Sequence, residues 1–211
     1  MDNDQILSFI EYAKKNNAVR IKLSSLNLSE LPKEISTLSK LEELFLYNNQ
    51  LRSLPKEMEH LVNLVHLDLR NNKFEFIPDV IAKLTKLKTL RINDNKIDAN
   101  ELFRIGSLTH LEKLHIRSNG LNELPVDIAH LAMLAELDIS HNNLNSLPNE
   151  LSKLDKLTTL YIGNNKFLEI PLPITYLPQL RELHFQNNLL NYIPPEIGQN
   201  NNLALLNLEG S

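Results

Sequence analysis

A unit of 23 residues recurs through this chain and leaves few folds open to it. It is cleanest from Leu41 to Asn63, LEELFLYNNQLRSLPKEMEHLVN, and the same frame restarts at Leu64, Leu87, Leu111, Leu134, Leu157, Leu180 and Leu203. Going backwards, it fits from Ala18. Every step is 23 residues except that from Leu87 to Leu111, which is 24. Counting from the first residue of each unit, columns 1, 4, 6, 11, 14, 18 and 21 are almost always Leu, Ile, Phe, Val or Met. Column 9 is Asn in seven units: Asn49, Asn72, Asn95, Asn119, Asn142, Asn165 and Asn188. Columns 14 and 15 read Leu-Pro or Ile-Pro seven times, as at Leu54-Pro55 and Ile77-Pro78. A fixed period of this size predicts a solenoid of stacked coils.

Each column has a physical place in such a coil. Columns 4 and 6 alternate with polar columns 3, 5 and 7, the period of a short strand with one face buried. The column-9 Asn sits where the chain turns off the strand, and its amide can both donate to and accept from backbone groups of neighbouring coils. Stacked, the seven Asn form a structural ladder. The Leu-Pro pair ends the return loop, because Pro fixes φ and restricts the residue before it. Columns 16 to 21, KEMEHL in the clearest unit, suit one short helical or 3₁₀ turn on the outer side.

The pattern LxxLxLxxNxLxxLPxxIxxLxx resembles the leucine-rich repeat family, over about nine units from Ala18 to the end of the chain. The 23-residue Leu-Pro form is similar to that of bacterial leucine-rich repeat proteins and of eukaryotic Ras-group and scaffold proteins. The resemblance implies an α/β fold: a right-handed solenoid with a parallel β-sheet on its concave face and 3₁₀ or short helical turns on its convex face. It also implies a protein partner on the concave face.

Residues 1–17 read as an N-terminal capping helix, and residues 18–211 as the repeats, one continuous domain. Asp2, Asn3 and Asp4 offer cap and dipole-favourable groups at one end, with Lys14 and Lys15 at the other. Ile6, Phe9, Ile10 and Ala13 make one apolar stripe to cover the first coil. In that coil Leu26 replaces the column-9 Asn. The coil from Leu87 lacks Leu-Pro, and Asp98 or Asn100 can cap a longer helix containing Leu102, Phe103 and Ile105. The coil from Leu180 has Asn200 in place of the apolar column-21 residue, and Leu205 faces outward in the last unit. No C-terminal cap is recognisable, so this end is expected either to continue into a longer chain or to pair with a second copy.

The outward columns hold the candidate site. Exposed aromatics at Phe45, Tyr47 and Tyr161 flank a basic cluster of Arg70, Arg91, Lys113, His115 and Arg117, with Asp68, Asp138 and His184 on the same columns. Aromatic and Arg side chains dominate protein-binding surfaces. The competing expectation is that charges neutralise sideways, Asp68 with Arg91 and His115 with Asp138, since these fall side by side on adjacent strands. Net charge is −4 and acids interrupt the basic columns, which argues against nucleic acid.

No catalytic constellation is expected. His115, Asp138 and Ser140 share a neighbourhood, but on an open surface without an oxyanion hole or nucleophile elbow. His115 and His184 are three strands apart, about 14 Å, too far to share a metal. The chain has no Cys, and its acidic start, MDNDQILSFIEYAKK, is neither a signal peptide nor a membrane span. The reading is therefore a non-catalytic interaction module without cofactor, metal, nucleic-acid or membrane partner. It is placed in the cytoplasm or exported without a cleavable signal. The alternative is the targeting repeat of a larger enzyme cut at Ser211, since repeats of this style resemble those preceding Roco-type GTPase domains and bacterial effector ligase domains.

Overall fold

In the computed structural model, which describes residues 3–211, each repeat closes one coil and contributes one three-residue strand. The strands are β1 (Arg20–Lys22), β2 (Glu43–Phe45), β3 (His66–Asp68), β4 (Thr89–Arg91), β5 (Lys113–His115), β6 (Glu136–Asp138), β7 (Thr159–Tyr161), β8 (Glu182–His184) and β9 (Leu205–Asn207). They form one parallel sheet in sequence order, like columns paired with like: Arg20 with Glu43, Glu43 with His66, and so on to Glu182 with Leu205. In the interior strands the middle residue, column 4, is wholly buried, from Leu44 to Leu183.

The ladder at column 9 ties each coil to the one before it. Asn49 Nδ2 donates to the carbonyls of Leu23 (2.8 Å) and Leu46 (2.9 Å), and its Oδ1 accepts from the Leu28 N–H (3.0 Å). The same three bonds recur at Asn72, Asn95, Asn119, Asn142, Asn165 and Asn188. All seven side chains are buried, none above 8% exposed. Each occupies the bend where the backbone leaves the sheet and can no longer satisfy its own polar groups. At the two ends the ladder is improvised. Leu26, in the Asn position of the first coil, offers its N–H to Asn49 Oδ1 at 3.1 Å. In the last coil the Ser211 hydroxyl donates to the Phe185 carbonyl (3.0 Å) and accepts from the Asn188 N–H (3.1 Å).

Column 8, just before the ladder, is left-handed in every coil. Ser25, Asn48, Asn71, Asp94, Ser118, His141, Asn164 and Asn187 have φ between 50° and 60°, and Gly210 has 68°. Asn, Asp and Gly tolerate this region best, which accounts for most of that column.

Opposite the sheet, the chain turns after each Pro. Lys33–Thr37, Lys56–His60, Asp79–Lys83, Val126–His130, Asn149–Lys153 and Pro195–Gln199 are 3₁₀ turns, and α2 (Leu172–Thr175) is one α-helical turn. The coil from Leu87 carries a longer 3₁₀ segment, Ala99–Ser107, whose N-cap Asp98 accepts from the Asn100 N–H at 2.9 Å. Leu102 and Ile105 point into the core, whereas Phe103 is 52% exposed beside Arg104. Helix α1 (Asn3–Lys15) packs Ile6, Ile10 and Ala13 into the same core as the first coils. Asp2, expected near its cap, lies outside the described residues. At the other end, Leu206 in column 4 is 38% exposed because no coil covers the outer edge of β9. Asn200 replaces its apolar column by bonding the Leu177 carbonyl at 3.2 Å.

Replacing Asn142 by Ala orphans the Leu121 and Asn119 N–H groups, both of which Oδ1 accepts. At roughly 1–3 kcal/mol for each unsatisfied buried group, urea unfolding is expected to show a loss of about 3 kcal/mol or more. The exposed neighbour Asn143→Ala is expected to change stability by no more than about 0.5 kcal/mol.

Candidate binding face

The parallel register turns each outward column into a row of side chains about 4.8 Å apart, and the ladder beneath holds those rows in place. Phe45, Tyr47, Arg70, Arg91, His115, Asp138, Tyr161 and His184 are partly exposed on this face, and Lys113 and Arg117 are exposed.

At the N-terminal end of the face, Tyr47 lies between two cations. Lys22 Nζ sits 5.4 Å from its ring centroid and the Arg70 guanidinium 5.3 Å. The bond from Lys22 holds the Tyr47 phenol below its ordinary pKa. Phe45 packs on His66 with ring centroids 5.1 Å apart. His66 Nε2 and Arg91 Nε are both enclosed and have no hydrogen-bond partner. Burial first, and the Arg91 charge second, push His66 below the ordinary histidine value of 6.5.

Both expected cross-strand pairs are replaced by others. Asp68 does not pair with Arg91. It is wholly buried and gives its carboxylate to Arg70 two residues on, with contacts of 2.6–3.1 Å. Asp68 is therefore a support for Arg70 and presents no surface to a partner. The two residues point the same way on one extended stretch, and a planar guanidinium reaches a carboxylate there with two bonds. His115 lies 2.7 Å from Glu136 rather than beside a free Asp138 carboxylate. Glu136 also holds Lys113 at 2.7 Å. Burial pushes the Glu136 carboxyl up, but its bonds from Lys113 and His115 outweigh that and hold it below the usual range. Asp138 instead accepts from the Ser140 hydroxyl at 2.6 Å and the Ser140 N–H at 3.0 Å. Ser140 and His115 thus each have a carboxylate partner of their own.

Further along, Tyr161 stacks on His184, centroids 4.5 Å apart and planes 17° from parallel. Burial, then Glu136, Glu182 and Asp138, raise the Tyr161 phenol. Lys22, His66 and Glu136 were not among the expected site residues, yet each contacts one that was. The register alone finds Glu136, which lies opposite Lys113; Lys22 and His66 reach Tyr47 and Phe45 diagonally across strands. Among the described residues no three His, Asp or Glu side chains gather as metal ligands, and no helix is long and apolar enough to cross a membrane.

Family models place the chain among known repeats. A leucine-rich repeat region matches residues 90–210, a leucine-rich repeat matches 16–74, and a two-copy leucine-rich repeat matches 62–104. Among solved structures, a leucine-rich repeat protein of Leptospira interrogans aligns at 36% identity and TM-score 0.86, over 95% of this chain and 51% of that one. The chain thus spans about half the length of that relative. Internalin C2 of Listeria monocytogenes aligns at 23% identity and TM-score 0.78, over 96% and 92% of the two chains, and shares the fold. The plant peptide hormone receptor RGFR1, solved in complex with RGF2, aligns at 28% identity and TM-score 0.67, over 91% of this chain and 36% of that one. No curated protein matches.

His66 supplies a pH test. Its folded pKa lies below its unfolded value, so the unfolded state takes up the proton first and stability falls as pH drops below about 6.5. Thermal melts between about pH 7 and pH 5 are expected to fall more steeply for the native chain than for His66→Gln.

Proposed function

Because the chain belongs to the leucine-rich repeat family, we propose that it is a non-catalytic binding module that holds a protein partner on its sheet face. One observation carries the reading: partly exposed aromatic rings, Phe45, Tyr47 and Tyr161, stand outward on the parallel sheet, on the same face as Arg91 and Arg117. Aromatic rings that keep exposed surface, together with Arg, supply most of the energy where proteins meet. The strands beneath are ordered before any partner arrives, so little backbone entropy is lost on binding. The plant receptor RGFR1, whose structure contains RGF2, is a relative consistent with this use of the fold. The 3₁₀ turns on the opposite side serve as scaffold.

The double variant Phe45→Ala plus Arg91→Glu is expected to keep its circular dichroism spectrum and to lose captured proteins in a quantitative pull-down. Lys153→Glu, exposed on an outer turn, is expected to retain them. Equal capture by all three proteins contradicts the reading.

A further inference from the structure

The sheet face is electrically two-ended. On the outward strand columns, the first five coils carry Arg20, Lys22, Arg70, Arg91, Lys113 and Arg117 against only Glu43 and Asp68. From the coil at Leu134 onward the same columns carry Glu136, Asp138, Glu182 and Glu209, with no Lys or Arg. The boundary is sealed from within, where Glu136 on β6 takes up Lys113 and His115 of β5.

Some of what remains on either side is unpaired within the fold. Among the described residues, Arg91 and Arg117 form no ion pair, whereas Arg20 is tied to Glu43 and Arg70 to Asp68. Arg91 Nε is enclosed without an acceptor, but the side chain as a whole is partly exposed, so a carboxylate meets the outer part of this guanidinium. On the other side, Tyr161 is stacked on His184 through one ring face and has Asp138 and Glu182 as neighbours in charge; among the described residues Glu182 has His184, at 3.5 Å, as its one ion-pair partner. An aromatic face among carboxylates attracts a cation.

The spacing converts this into a ligand. Arg91 and Tyr161 share a column on β4 and β7, three strand steps or about 14 Å apart. An extended chain covers that distance in about four residues, and residues so spaced point to the same side of it. We propose that the face takes an extended segment of a protein partner bearing one acidic and one basic side chain about four residues apart. The carboxylate docks at Arg91 and Arg117, and the cation at Tyr161 between Asp138 and Glu182. This rests on the sheet face being the binding surface, and adds to it the charge pattern of the partner.

The test is selection from a displayed random peptide library on the native chain, with each enriched peptide then measured on variants. Enriched peptides are expected to share the acid–base spacing, and to bind Arg91→Glu/Arg117→Glu and Tyr161→Ala/Glu182→Lys at least about ten-fold more weakly. Arg117→Glu alone, at an exposed position, keeps the result decisive if a double variant fails to fold. Peptides that need Phe45 and Tyr47 but show no such spacing would overturn the charge pattern and leave the binding face standing. Peptides indifferent to all of these residues, or no enrichment at all, would overturn both.

Discussion

Everything in this molecule depends on a buried amide. A coil of this size must leave its strand through an irregular bend, and a bend pressed between two neighbours has backbone N–H and C=O groups that water cannot reach. The column-9 Asn answers both demands with one side chain, donating to two carbonyls and accepting from an N–H of the preceding coil. Its geometry fixes the distance and the register between coils. The Leu columns, mostly wholly buried, then supply the bulk of the stabilisation. Without the amides the same Leu residues could collapse in many ways. With them, only a stack in which like column lies on like column satisfies every bend.

That register gives the face its chemistry. Since neighbouring rows are held about a strand spacing apart, the side chains on them find partners of two kinds. Some are settled inside the fold: Arg70 with Asp68, Lys113 and His115 with Glu136, Ser140 with Asp138. Others are left over: among the described residues Arg91 and Arg117 form no ion pair, while Phe45 and Tyr161 pack on His66 and His184. The pattern of settled and unsettled groups divides the face into a basic and an acidic end. A solenoid suits such a division well, because each coil contacts only its neighbours and each row can vary independently of the rest.

The architecture was legible because it repeats: strand positions, the outer turns after Pro and the burial of column 9 follow from columns read together. The binding face was legible only as rows. Cross-strand neighbours were expected to pair, Asp68 with Arg91, but Arg70, two places along the chain and just past the end of β3, reaches the carboxylate with two nitrogens of its fork. Asp68 is wholly buried in that pairing, which no column shows. The left-handed column 8 was also missed, although its run of Asn, Asp, Ser and Gly is the composition that such a conformation selects. His141 in that column weakens the signal. The ends departed from pattern for a simpler reason. With one neighbour instead of two, Leu26 uses its backbone and Ser211 its hydroxyl where an interior coil uses Asn.

The central claim is that side-chain amides do the work of secondary structure where there is none. Leu28, Leu51, Phe74, Leu121 and Leu144 lie outside every strand and helix, and their N–H groups donate to an Asn Oδ1 of the next coil at 3.0–3.1 Å. Residue-resolved amide hydrogen exchange measures this directly. The account predicts that these five amides are protected as strongly as those of β2 to β7. Exchange at the rate of the exposed loops would contradict it.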